Sequence, residues 1–415
     1  MTVTSQRKRV VITGLGTVSP LGELADLTRN VFAGVSGIKR LDVPFIDQLD
    51  CKIAAQSLFD PAEHFTKHKY SMLDRVSQLA LHTSLEAIKH ADLNITDALK
   101  PRMGVYLGTG MGGAQSLEDG YIRLYRDGAN RIKPFTVLMS MYNAAASAIA
   151  LDCQVTGPNQ TFSTACSSSA IAIGEAARLI RHGYADVMLA GGSEAFLTYG
   201  SIKAWEALRT LAEEDPDDLS ASCKPFSANR TGLVLADGAA MLVLESYEHA
   251  VARGAKIYAE IAGYGTANDS NHITQPSVTG QAATMRAALN DANLPPCKIQ
   301  YINAHGTGTQ LNDLTETNAV KKVFGDYAYR LSMSSTKSMH GHLMGAAGAL
   351  EAIITTLSLN TNTLPPTINL KQADLECDLY YVPNVSRKLP DLQYAMSNSF
   401  AFGGTGASLI LKKTN

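Results

Sequence analysis

The segment Ile12-Thr13-Gly14-Leu15-Gly16-Thr17 comes back in the second half of the chain as Ile261-Ala262-Gly263-Tyr264-Gly265-Thr266. Each copy follows or closes a short apolar strand, and a helix-patterned stretch comes next in both places, over residues 76–91 and 282–292. In the first stretch Val76, Leu79, Ala80, Thr83, Ala87 and Ala91 share one face. Strands over 103–107 and 299–304 follow, each running into a Gly-Thr-Gly segment. Ser163-Thr164-Ala165-Cys166 is then answered by Ser335-Thr336-Lys337-Ser338, each ahead of a Gly/Ala-rich helix, and the strand 238–244 by 406–411. Matches that keep one order predict an α/β chain of two duplicated βαβ-type halves, residues 1–255 and 256–415. The first half is longer, and its surplus around 110–160 and 195–235 reads as cap or dimer-forming insertions. Duplicated halves pack pseudo-symmetrically, so loops at strand ends converge on one cleft.

Composition narrows the function. With 45% hydrophobic and 18% charged residues the chain can bury a large core, which excludes a disordered protein. A net charge of −2 gives no general attraction to nucleic acid or to a membrane surface. Cys51, Cys153, Cys166, Cys223, Cys297 and Cys377 are scattered without a CxxC pair. That spacing speaks against zinc and against a disulfide framework, and suits a reducing cytoplasm. The basic start, Met1 to Arg9, runs directly into strand-like Val10-Val11-Ile12 and lacks the apolar stretch of a signal peptide. No apolar run approaches the length of a membrane-spanning helix.

The chemistry gathers at three places. Phe162-Ser163-Thr164-Ala165-Cys166-Ser167-Ser168-Ser169 leads into a buried-helix pattern that stops at Arg181-His182-Gly183, a basic last turn and a C-cap glycine. Cys166 therefore sits at a helix N-terminus, where the dipole and unpaired N–H groups favour a thiolate able to attack an acyl carbon. His305 follows a buried strand and opens His305-Gly306-Thr307-Gly308-Thr309. His342 lies in Lys337-Ser338-Met339-His340-Gly341-His342-Leu343-Met344-Gly345-Ala346-Ala347-Gly348. A lone Cys or His is ordinarily structural. Cys at a helix start, His after a strand and Gly-His before a small-residue helix together point to a nucleophile with two imidazole partners.

These motifs, with Asn398-Ser399-Phe400-Ala401-Phe402-Gly403-Gly404-Thr405, resemble those of the β-ketoacyl-ACP synthases of the thiolase superfamily, over essentially the whole chain. The similarity is greatest to the bacterial elongating type. It implies a five-layer α-β-α-β-α fold, usually dimeric, and no organic cofactor. It also implies two steps: acyl transfer from an acyl carrier protein (ACP) to Cys166, then decarboxylation of malonyl-ACP and attack of the enolate on the acyl-enzyme. His305 and His342, as neutral N–H donors, would stabilise the charge that develops on the thioester oxygen. The resemblance gives the acyl-transfer oxyanion hole to the backbone N–H groups of Cys166 and Phe402, with Phe402 also the gate. It makes Lys337 the ordering lysine, held by Asp313, Glu316 and Glu351; a buried charge network that only orients the histidines is the architectural alternative. It puts Met111 in the acyl pocket, against plain core packing, and Lys67, Lys69, Arg131, Lys133 and Arg209 on the surface that meets the acidic carrier, against ordinary solvated charge.

Some residues depart from the family pattern. Ala401 stands where glycine is common, which restricts φ beside the gate. Gly406 replaces a frequent asparagine, and His340 is unusual and reads as structural. Cys166-Ser167-Ser168-Ser169 and His305-Gly306-Thr307-Gly308-Thr309 look more like polyketide synthases, so an aryl-polyene or other type II polyketide ketosynthase paired with a chain-length subunit stands beside a fatty acid elongase. A thiolase needs a second cysteine, but Ser338 occupies the position that matches Cys166. A non-catalytic chain-length subunit would lack Cys166, and a cysteine hydrolase would need water in an apolar site. Homodimer and heterodimer both remain open from sequence.

Overall fold

The computed structural model describes residues 7–414, so most of the basic start, residues 1–6, lies outside the described residues. The repeat is visible as two strand sets of one order. The first holds β1 (Val10–Ser19), β2 (Met103–Gly108), β3 (Asn159–Phe162), β4 (Val187–Glu194) and β5 (Gly238–Ser246). The second holds β6 (Ala259–Asn268), β7 (Tyr301–Asn303), β8 (Ser332–Ser334), β9 (Tyr394–Phe400) and β10 (Thr405–Lys412). Across the sheet they run β8-β7-β9-β10-β6-β1-β5-β4-β2-β3. Directions repeat too. β2 is parallel to β3 and β4, as β7 is to β8 and β9. β5 is antiparallel to β4 and β1, as β10 is to β9 and β6. The halves join where Val11 pairs with Glu260 and Ile12 with Ala259.

The repeated glycines have a packing cause. Helix α1 (Arg75–His90) lies on β1, and a Cβ at Gly16 would collide with the backbone of Thr83 and Ala87. Gly265 is its counterpart, with a Cβ there meeting the backbone of Thr284 and Ala288 in α3 (Val278–Ala292). Between the half-sheets run α2 (Ser168–Arg181) and α5 (Ala347–Thr361). Helix α5 is apolar nearly all round and correspondingly buried nearly all round. A Cβ at Gly348 would meet the backbone nitrogen of Ala170, so small residues set how closely α5 approaches α2.

Three apolar clusters fill the spaces between layers. Val76, Leu79, Val105, Leu189 and Val243 pack beneath α1. Ile173, Leu242, Leu350, Ile353 and Leu409 pack around α2 and α5. Met285, Leu289, Ile302, Val320, Met396 and Ile410 pack beneath α3 and α4 (Gln310–Phe324). Leu242 and Val243 face opposite clusters, as do Leu409 and Ile410, which is the period of two expected of strands. The result is helix, sheet, helix pair, sheet, helix. The loops that leave β3, β7 and β8 open on one side, where the three chemical motifs meet. Among the described residues no helix is long and apolar enough to cross a membrane.

Candidate active site

A short turn carries Cys166 from β3 into α2. Ala165 takes φ +50°, a left-handed conformation that costs about 1 kcal/mol or more for a residue with a Cβ. The neighbouring hydroxyls hold the turn: Ser168 Oγ accepts from the Thr164 N–H at 2.9 Å and donates to the Ala165 carbonyl at 2.6 Å. Ser167 Oγ donates to the Thr164 carbonyl at 2.9 Å. The run of serines is thus the framework that presents the sulfur. Helix α2 ends at Arg181 as its sequence requires, with Gly183 left-handed behind it.

His342 follows Gly341, whose φ of +68° only glycine adopts readily. The Met344 N–H donates to His342 Nδ1 at 3.1 Å. With Nδ1 an acceptor, the neutral ring carries its proton on Nε2, and Nε2 faces the Cys166 Sγ at 3.1 Å. The His305 ring lies 5.5 Å from that of His342, nearly perpendicular to it. Burial, reinforced by the Lys337 charge, holds both imidazoles well below the usual histidine range. They are neutral hydrogen-bond donors rather than acids carrying charge.

The expected thiolate is corrected. Cys166 is buried, and desolvation pushes its thiol up to about 12, with Glu194 adding to the shift. Lys337 and the N–H groups of Phe402 and Cys166 pull the other way without overcoming burial. The resting nucleophile is a thiol, because the helix terminus stabilises an anion less than the dry surroundings penalise it. Those two N–H groups nonetheless converge at the sulfur, where an oxyanion of acyl transfer would form.

The acid set is corrected as well. Lys337 is fully buried and forms an ion pair with Glu351, which burial pushes up to about 7. Glu316 and Asp313 hold the histidine loop instead of the lysine. Glu316 accepts from the N–H groups of His305 and Gly306 at 2.9 and 2.8 Å. Asp313 accepts from the N–H groups of Phe226 and Gly308 at 2.8 and 3.2 Å, and Arg230 stands 3.8 Å away. His340 is occupied by Thr336 Oγ1 and the Gly341 carbonyl, at 2.9 and 2.8 Å. Ser338 Oγ donates to the Ser335 carbonyl at 2.8 Å and so offers no base where a thiolase would place one.

Phe402 is half-buried and stacks on Trp205 with centroids 5.9 Å apart. Ala401 does not take a left-handed φ, so its Cβ is accommodated; Gly403 and Gly404, both at φ +82°, carry the bend of the gate. A cavity of about 430 Å³ runs from Leu208 and Arg209 past Thr307 and Thr309 to Cys166, His305, His342 and Phe402. Arg209 stands exposed on its lip. Met111 does not line this cavity, and it is 41% exposed. Lys67, Arg131 and Lys133 are exposed away from the cavity lining, and Lys69 is engaged by Asp152 and the Phe65 ring.

One group escaped the sequence reading. Glu194 ends β4 fully buried, accepting from the N–H groups of Gly110, Met111 and Gly345 at 2.6, 3.0 and 2.9 Å. It ties the Gly108-Thr109-Gly110 loop to the turn behind His342, and burial pushes it up to about 7. The available signal was a carboxylate closing the apolar run 187–193.

Comparison with known proteins agrees with this geometry. Residues 7–250 match the family model described as beta-ketoacyl synthase, N-terminal domain, and 258–371 match its C-terminal domain. The 3-oxoacyl-[acyl-carrier-protein] synthase 2 of Staphylococcus aureus (strain N315) is 42% identical over 413 residues, 99% of each chain. A type II PKS acyl-carrier protein in complex with its ketosynthase bound to the hexaketide superposes with a TM-score of 0.91 at 34% identity, covering 99% of this chain and 100% of that one. The ishigamide ketosynthase/chain length factor superposes with a TM-score of 0.90 at 32% identity, covering 99% and 100%. With its thiolase-type fold and its Cys-His-His cleft, the chain belongs to the β-ketoacyl synthase family, as a condensing enzyme of the 3-oxoacyl-[acyl-carrier-protein] synthase type.

Proposed function

We propose that the condensation runs through Cys166 with His305 and His342 as neutral donors, on acyl-ACP and malonyl-ACP thioesters. The Cys166 sulfur adds to the acyl carbon while the N–H groups of Cys166 and Phe402 receive the oxyanion. Collapse expels the carrier's thiolate, which takes up the proton that Cys166 gives up, leaving an S-acyl enzyme. Malonyl thioester then enters and loses carbon dioxide; the electron pair moves into an enolate whose oxygen accepts from the Nε2–H groups of His305 and His342. The enolate carbon attacks the acyl carbon, the Cys166 sulfur leaves and recovers a proton, and a 3-oxoacyl-ACP two carbons longer departs. The observation that carries this is the Met344 N–H bond to His342 Nδ1 beside the 3.1 Å approach of Nε2 to sulfur. An imidazole fixed in that tautomer serves as a donor to negative charge and is poorly placed as a base.

Lys337 then acts through others: it adds to the burial that keeps both imidazoles neutral, and it is paired with Glu351. The cavity with Arg209 on its lip would admit the carrier's phosphopantetheine arm. A second ketosynthase-type chain would cover the groove that Met141 and Tyr142 share with edge residues Asn159, Gln160 and Thr161 of β3, together with the exposed apolar side chains Met111, Tyr121, Val137 and Leu138. This partner is either a second copy or a related chain-length subunit, and it would complete an acyl pocket at Met111. A cytoplasmic setting belongs to the same reading, since the cysteines are all free. Polyene or aryl chains are the substrate alternative to saturated fatty chains.

The test is a pair of substitutions. Cys166→Ala abolishes condensation but keeps decarboxylation of malonyl-ACP; His342→Ala loses both, with a fall on the order of 100-fold or more for the lost donor. Full elongation by Cys166→Ala would overturn the assignment.

A further inference from the structure

Away from the cleft, three side chains converge that no part of the condensation uses. His82 projects from α1 and is buried, with its Nε2 2.9 Å from Glu23 Oε1. Glu23 belongs to the short strand Gly22–Glu23, whose backbone pairs with Val18 of β1. His64 follows the one-turn helix Pro61–Glu63, and its ring centre lies 4.0 Å from that of His82. Phe59 packs against both rings, parallel to His64 at 5.2 Å and tilted to His82 at 5.3 Å. One ligating atom from each of Glu23, His64 and His82 falls within 4.8 Å of the others.

We propose that Glu23, His64 and His82 form a binding site for a borderline divalent cation of the zinc class. Two imidazoles and one carboxylate are the ligand set of first-row ions such as zinc, whereas calcium and magnesium take oxygens. The ligands come from three separate pieces of chain, so an ion would clip the 59–66 turn to α1 and to the end of the β1 hairpin. His82 is the fixed ligand. Glu23 and His64 are exposed, so they can shift by the roughly 1 Å needed to place all three ligand atoms about 2.0–2.2 Å from one ion. The same turn leads directly into the helix Lys67–Ser71, so the ion would also brace the segment carrying Lys67 and Lys69. No motif marks this site: its three ligands share no recognisable spacing, and the scattered cysteines speak only against a cysteine-based zinc motif.

Cobalt(II) titration of the full-length Cys166→Ala chain tests this. That background removes the thiol from the other convergent set, Cys166 with His305 and His342. The expected result is one cobalt ion per chain with visible d–d bands and no sulfur-to-metal charge-transfer band, displaced by zinc. His64→Ala, at an exposed position, should weaken binding at least about tenfold, the loss that even an outer-shell partner causes. Its metal-free form should stay folded with a thermal midpoint lowered only by the lost contacts of an exposed ring, and Glu23→Gln should repeat the loss of binding. Zinc should raise the thermal midpoint of the parent chain and not that of His64→Ala. No binding up to about 100 μM ion would overturn the proposal, as would affinity unchanged in both variants or a charge-transfer band showing thiolate ligation.

Discussion

At the scale of the residue, the nucleophile is governed by water exclusion more than by its helix. The dipole argument is local and was legible in Thr164-Ala165-Cys166-Ser167; the desolvation that overrides it comes from layers folded over the turn, which no local pattern reports. A thiol pushed up to about 12 by burial is protonated throughout the neutral range. Alkylation of Cys166 by iodoacetamide, read from the mass of its peptide, should therefore rise about tenfold per pH unit from about pH 7 to 10. A plateau beginning near about pH 8 would show a resting thiolate. The positions of His305 and His342 were legible because each stands in a motif beside glycine. The division of the acids was not. Whether Asp313, Glu316 or Glu351 meets Lys337 depends on how α4 and α5 are set against β7, and only Glu351 of α5 meets it directly.

At the scale of the element, the repeat itself was the readable signal, because each glycine pair marks a helix resting on strand backbone. Gly16→Ala should lower the urea midpoint, with a loss of about 1–3 kcal/mol for forced overpacking. Unchanged stability would mean that α1 does not need that closeness. The gate illustrates what the repeat could not supply. Ala401 left either a stiffer gate or another hinge, and the bend falls on Gly403 and Gly404, tethered where the Gly403 N–H donates to the Ile273 carbonyl at 2.8 Å. Glu194 joins elements from both halves, so its role emerges only when β4, the loop after β2 and the turn before α5 are together.

At the scale of the molecule, the buried charge of the site sets how the fold answers acid. Burial holds His305, His340 and His342 below their ordinary range, so unfolding releases imidazoles that bind protons below about pH 6.5, and stability falls as pH falls. Glu194, Glu316 and Glu351 are raised to about 7, so between there and about 4.5 the folded state holds protons that the unfolded chain does not. In that window the two groups oppose one another. Below about pH 4.5 these glutamates are protonated in both states, the histidines no longer have a counterweight, and Asp186 and Asp215, held down at about 2 by Arg102 and Lys224, lose their stabilisation too, so the loss steepens. Urea midpoints measured from about pH 7 to 4 should be nearly flat and then drop. A steep decline starting at about pH 6.5 would mean the glutamates titrate normally. The layered architecture was legible from strand order and alternation. The apolar face around Tyr142 and β3 was foreshadowed only as surplus length at 110–160.

The most direct test of the central claim is the intact mass of the protein after incubation with saturated, polyunsaturated and aryl-capped acyl-ACPs. A gain equal to one acyl group in the parent chain, absent from Cys166→Ala, is the predicted result, and the accepted donor names the chain class. A gain that persists in Cys166→Ala, or none with any donor even when a candidate partner subunit is supplied, would contradict the assignment of Cys166 as the nucleophile.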